Sequence, residues 1–215
     1  SELKQIQGRL NEILARETQR FSEHVGRLEA SAVHVISERI DTLKDISWQM
    51  GSEIAANIEK VRSLMGVYSG TLSPDVVGLY KNINAVLNSI DRLEVRGRDS
   101  AGISLMFVLD KAQYERFEDA MKQGLLIDEY KARLEWKVLG NRCINVHEYG
   151  AKSPSGPIVG LSLAYKIAAE IGSLGDNVRF LRKQISEDAI LKQLSQIGWR
   201  HHTVSSHTRW ASVGV

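Results

Sequence analysis

Arg209 and Trp210 stand side by side near the end of this chain, with His207, Thr208 and Ser212 within three positions of them. A guanidinium offers a planar fork of donors that matches a carboxylate bidentately. An indole beside it can cover an apolar or sugar surface, and the neighbouring hydroxyls and imidazole add hydrogen-bonding groups. Such a run could hold a small carboxylate-bearing ligand, or it could be an exposed segment with an incidental Arg–Trp stack. Well upstream lies Arg96-Gly97-Arg98-Asp99. There the glycine permits a tight turn, and Arg96 and Asp99 could pair across it, either as plain structure or as the wall of a pocket.

Other residues that could do chemistry are isolated. Cys143 is the one cysteine, which excludes an internal disulfide and reads as packing within a strand. His201, His202 and His207 supply three imidazoles, but no carboxylate or thiol completes a metal site, and adjacent histidines on a strand face opposite ways. Gly150-Ala151-Lys152-Ser153 lacks the spacing of a phosphate loop. Arg179, Arg182 and Lys183 have no aromatic platform beside them and read as a solvated helix face. No cofactor or metal is expected. The 28 basic and 26 acidic residues give a net charge of +2 and are interspersed, which argues against nucleic acid or a membrane surface as partner. No apolar run reaches the ~20 residues of a spanning helix, and the first residues lack a signal-peptide core. The single cysteine fits a reducing cytoplasm.

The elements that must position these residues are of mixed type. Residues 1–65 carry apolar side chains three and four apart (Leu3, Ile6, Leu10, Ile13, then Val33, Ile36, Ile40, Leu43), which predicts either one long helix or a helical hairpin bending near 26–31. Its apolar stripe must pack on its own second half, on the following domain or on a second copy. Ser73-Pro74-Asp75 opens a helix that continues through Val76, Leu79, Ile83, Val86, Ile90 and Leu93. Ile103–Leu109 is a continuous apolar run, expected as a strand buried on both faces. Asp110 and Gln113 form a capping pair for a helix through Tyr114, Phe117 and Met121 that Gly124 closes. Leu134, Trp136 and Val138 alternate with charged residues as in a half-buried strand, turning at Gly140-Asn141 into a second strand over 142–148. Residues 149–158 read as a loop, Leu161, Tyr165, Ala168 and Ile171 as a helix, Ser186–Ile197 as another, and 203–207 as a short strand. The predicted class is α+β, with a helical extension over 1–65 and a layered domain over 66–215.

The two motifs taken together, Arg92-Leu93-Glu94-Val95-Arg96-Gly97-Arg98-Asp99-Ser100-Ala101-Gly102 and His207-Thr208-Arg209-Trp210-Ala211-Ser212-Val213-Gly214, resemble the glutaminase domain of the glutamine:fructose-6-phosphate aminotransferases. The corresponding family strings read roughly L-E-Y-R-G-Y-D-S-A-G and H-T-R-W-A-T-H-G. The resemblance implies a class II amidotransferase with a layered αββα domain, here with an insertion over about 111–175. It implies that glutamine is the substrate, with Arg209 on its α-carboxylate and Trp210 closing the site. His207, Thr208 and Ser212 would support that site, and Arg96 and Gly97 would shape the pocket. Arg98 stands where the family has tyrosine, and Val213 where it has a histidine.

The family's nucleophile is an N-terminal cysteine whose own α-amine is the base. Leu64-Met65-Gly66-Val67-Tyr68 resembles the family's opening C-G-I-V-G, with Met65 in the cysteine's place, and a thioether has no proton to lose. Further parts of the family's site, and the isomerase half that takes the sugar phosphate, would follow Val215. The expectation is therefore a fragment of a longer polypeptide or one piece of a split one, completed by a further domain or partner chain. This chain alone would be inactive and would assemble as a homo-oligomer through its N-terminal helices. The alternative is a catalytically inert glutaminase-like scaffold or a helical oligomerisation module.

Overall fold

In a computed structural model of the chain the described residues are 2–67, 72–93, 99–135, 140–150, 157–168 and 173–209. They form two compact units, residues 1–60 and 61–215. The first is a helical hairpin: α1 (Glu2–His24), a 3-10 turn at Val25–Arg27, α2 (Ala30–Trp48) and a π-helical stretch Gln49–Ala55; of α3 (Ala56–Met65), residues 56–60 belong to this unit and 61–65 to the second. The first helix ends where Gly26 lowers helix propensity and Glu29 turns extended (φ −67, ψ 149). The two arms are joined by polar contacts. Gln7 Nε2 donates to the Ser47 carbonyl at 3.3 Å, and the Ser47 hydroxyl donates to Asn11 Oδ1. Gly51 permits this approach, because a Cβ there would fall 2.1 Å from Gln7 Nε2. Among the described residues of this unit only Ile40 and Ser47 are buried.

The second unit is built on a four-stranded antiparallel sheet of order β2-β3-β1-β4, comprising β1 (Ser100–Asp110), β2 (Cys143–Tyr149), β3 (Ile158–Ala168) and β4 (His201–Arg209). Helices α4 (Pro74–Leu93), α5 (Lys111–Gln123), α6 (Ile127–Glu135), α7 (Asp176–Glu187) and α8 (Ala189–Ile197) pack on one face. Their anchors Leu79, Ile83, Leu87, Phe117, Met121, Leu181, Leu191 and Leu194 are sealed against Ile103, Leu105, Phe107, Leu161, Leu163 and Tyr165. Local signals set the helix starts. The Ser73 hydroxyl accepts from Val76 N at 3.2 Å ahead of Pro74. Asp110 and Gln113 exchange side-chain and backbone bonds at 2.8 and 2.9 Å as a capping box. The architecture is α+β; the described residues form one sheet and one helical layer, where the resemblance implied two stacked sheets between helical layers.

Four expectations are corrected. The β1 run is buried on one face only: Met106 is 45% exposed, because among the described residues no helix covers that side. Leu134 lies in helix α6 rather than in a strand, with Arg133 buried and Leu134 the exposed neighbour; residues 136–139 lie outside the described residues. Leu161 and Tyr165 belong to central strand β3, where Leu161, Leu163 and Tyr165 share a face with period two. A four-residue spacing satisfies both periods, and pairing on both sides decides for the strand. Arg182 is turned inward, donating to Asn84 Oδ1 at 2.9 Å and Asn88 Oδ1 at 2.8 Å and so clamping α7 to α4. The segment expected as an insertion supplies β2 and β3, half of the sheet.

Beneath the sheet lies a buried charge cluster. Asp188 sits between α7 and α8 and caps α8, accepting from Ile190 N (2.9 Å) and Leu191 N (3.1 Å). Arg133 Nη1 donates to its Oδ1 at 3.0 Å, Nη2 makes an ion contact with Oδ2 at 2.8 Å, and the Tyr165 hydroxyl donates to Oδ2 at 2.8 Å. Arg133 and Asp188 are both fully buried. Burial pushes the Asp188 carboxyl up, but Arg133, the Leu191 amide and Tyr165 together outweigh it and hold the group below its ordinary value of 3.8. Asp188→Asn leaves the buried Arg133 guanidinium with only the partly exposed Glu129 at 3.5 Å as counter-charge and is expected to cost about 3–5 kcal/mol in urea unfolding. Because the folded carboxyl titrates below the unfolded one, its contribution is present above the unfolded value and is lost as pH falls through the folded one. The stability gap between the native chain and Asp188→Asn should therefore hold between about pH 7 and pH 5 and close below about pH 4. A gap that is unchanged at acid pH would refute the assignment.

Candidate functional site

Strand β1 begins where the first motif ends, and β4 is the second motif's approach. The two are neighbours in the sheet, in register Ser100↔Arg209, Ala101↔Thr208 and Gly102↔His207, and the Asp99 amide donates to the Arg209 carbonyl at 3.1 Å. Two segments far apart in sequence are thereby joined main chain to main chain at one end of the sheet. Alternation sends His201, Thr203, Ser205, His207 and Arg209 to the uncovered face and His202, Val204, Ser206 and Thr208 to the covered one. Of the expected site residues, His207 and Arg209 thus share a face and Thr208 points away from it. Trp210, Ser212, Arg96 and Gly97 lie outside the described residues.

Gly102 ties the motifs together sterically. A Cβ on it would meet His207 Cε1 at 2.5 Å and the two ring nitrogens at 3.1 and 3.2 Å, so the imidazole lies over the glycine. On the other side of Gly102 stands Lys166 of β3. Its backbone amide donates to Asn141 Oδ1 at 2.8 Å, which pins β3 at this level. Ser104, Ala164 and Ser205 form the next row along the sheet. Lys166, Ser104 and Ser205 were not singled out from sequence. The signal that could have found them is the alternation through Leu161, Leu163 and Tyr165, which puts Lys166 on the opposite face.

The covered side of β4 is fixed by His202. Trp199 Nε1 can only donate, and it reaches His202 Nδ1 at 2.9 Å, so Nδ1 is the acceptor and the ring proton sits on Nε2. Asn82 Nδ2 lies 3.1 Å from Nε2, and turning the amide over puts its oxygen there to accept the ring proton. Burial holds the imidazole below its ordinary value, assisted by His201 and opposed by Asp75, which favours the neutral ring that this geometry needs. The ring stacks on Phe107 with centroids 6.3 Å apart. The edge strand is thus anchored to α4 through Asn82 and to the sheet through Phe107, leaving its other face to His207 and Arg209.

Met65, expected in the place of a nucleophile, closes α3. It is 8% exposed and packed in the core, and Gly66 after it adopts a positive φ of 57. Leu64–Met65 is therefore a helix end. Cys143 is the first residue of β2 and is 1% exposed.

Gly102→Ala should force the His207 ring off the sheet and lower the melting temperature. In a double-mutant cycle with His207→Ala the loss should be relieved, giving a coupling of about 0.5–3 kcal/mol, as expected for residues in contact. Additive losses would show that ring and glycine do not touch. Comparison of the chain with known protein families, curated proteins and solved structures finds no match.

Proposed function

We propose that this chain is the N-terminal part of a cytoplasmic glutamine-dependent sugar-phosphate aminotransferase, contributing half of a glutamine site and no nucleophile of its own. What supports the reading is the pairing of the two motifs: Ser100 opposite Arg209 and Gly102 beneath His207. This brings the arginine fork and the imidazole to one face, where a ligand carboxylate can meet both. Ammonia release and transfer to fructose 6-phosphate would then need a further domain or partner chain. Calorimetric titration of the full chain with glutamine is the test. The expected result is saturable binding, weakened at least about tenfold (1.4 kcal/mol) by Arg209→Ala, with no glutamate released. No heat of binding, or binding indifferent to Arg209, would leave the chain as a glutaminase-like scaffold and sink the substrate reading.

The hairpin carries a second part of the proposal, association with another copy of itself. Ile6 and Ile13, 48% and 41% exposed, extend the apolar stripe of α1 beyond what α2 covers. A groove of about 520 Å³ between the arms is floored by Phe21, Ile36 and Leu43 and rimmed by Glu17, Arg20 and Arg39. A rim of both signs is self-complementary, as a two-fold contact between identical chains requires. Light scattering of the full chain should give at least twice the mass of a single chain, 24.0 kDa, and Ile6→Lys/Ile13→Lys should return it to the single-chain mass. A native chain that runs as a monomer would overturn this part alone.

A further inference from the structure

The uncovered face of the sheet bears a hollow of about 110 Å³ lined by Ser104, Ala164, Lys166, Ser205 and His207. Its origin is compositional. Gly102 in β1 has no side chain, and the register places Lys166 on one side of it and His207 on the other. The imidazole leans across the glycine, since a Cβ there would lie within 3.2 Å of both ring nitrogens. One row further on, Ala164, Ser104 and Ser205 are small, so the depression continues between the two larger side chains.

The polar side chains that the described residues place in its lining are donors. An ammonium has three donors and no acceptor, each serine hydroxyl has one donor, and an imidazole can add an N–H. On this face the positions from Ser100 to Met106, with their partners on β3 and β4, include Lys166, His207 and Arg209 but no carboxylate. Donors therefore approach one small volume from three strands, in different directions and under a positive field. A planar carboxylate is best met by an arginine fork, which the hollow lacks. A lysine point charge with hydroxyls around it suits a tetrahedral oxyanion. The volume is several times the ~10–15 Å³ of such space that one water needs, which leaves room for a small oxyanion.

We propose that this hollow binds a phosphoryl group, with Lys166 and His207 holding it from either side of Gly102 and the Ser104 and Ser205 hydroxyls donating to its oxygens. The site does not rest on the glutamine reading: a chain that takes phosphate but not glutamine sinks only that reading, and the converse sinks only this one. The test is an NMR titration of the full chain, following the His207 ring and the Ser205 amide at constant ionic strength with chloride as balance. Inorganic phosphate and a simple phosphomonoester, glycerol phosphate, are the two ligands, and whichever saturates at lower concentration identifies free phosphate or a phosphorylated metabolite as the source. Saturable shifts with a midpoint of about 1 mM or below are expected, raised at least tenfold by Lys166→Met and by Ser205→Val. Both positions are half-buried or exposed surface sites, so the rest of the amide spectrum should be unchanged. Shifts that rise linearly with either ligand, that chloride reproduces, or that keep their midpoint in Lys166→Met would overturn the site.

Discussion

A carboxylate taken out of water into an apolar core persists only if its oxygens are met by donors and its charge by a cation, and Asp188 imposes that condition on much of the larger unit. Its two oxygens gather the first amides of α8, the guanidinium of Arg133 in α6 and the hydroxyl of Tyr165 in β3. Arg133 reaches onward through Nε to the carbonyl of Arg142 at 2.6 Å, fixing a residue whose φ is +61. Glu129 accepts from Arg142 at 2.8 Å, so the turn into β2 is held from two sides. Asn141 of the same turn takes the Lys166 amide. Consecutive residues of the central strand are thus tied on opposite sides, Tyr165 below to the buried charge and Lys166 to the turn that the same cluster holds.

The second organising fact is that the helices lie on one face of the sheet. A strand with one dry face needs only alternate residues to be apolar, which frees Gly102, Ser104, Lys166, Ser205, His207 and Arg209 for other work. The sheet still has to be rigid there. Phe107 packs against Trp199 at 5.3 Å and against His202, so β4 is stiffened from its covered side while its other face stays polar. Packing and the proposed binding groups are divided between the two sides of one strand.

The hairpin follows different physics. Two helices in contact bury one seam, and here that seam is partly polar, through Gln7, Asn11, Ser47 and the close approach at Gly51. Such contacts specify register well and add little burial. The π-helical stretch Gln49–Ala55 includes Gly51, the residue that Gln7 of α1 approaches most closely.

Local chemistry made several elements legible from sequence. Ser73 before Pro74, the Asp110–Gln113 box and the Gly124 stop act within one turn of chain, so they need no partner to operate. The apolar stripe of residues 1–65 declared helices but not their number, because contacts between distant segments, such as Gln7 and Asn11 with Ser47, decide that the chain doubles back. Periodicity failed where two periods coincide, as at Leu161 and Tyr165, and where a charged residue is buried. Arg133 is fully buried beside a half-exposed Leu134, the reverse of the alternation around them, because Asp188, fifty-five residues away, supplies its counter-charge. The candidate site divides the same way. Residue types named the arginine and the imidazole, since a guanidinium fork or an imidazole ring is a property of one side chain. That they share a face with Lys166 around a bare glycine follows only from strand register, which hydrogen bonds between distant segments determine.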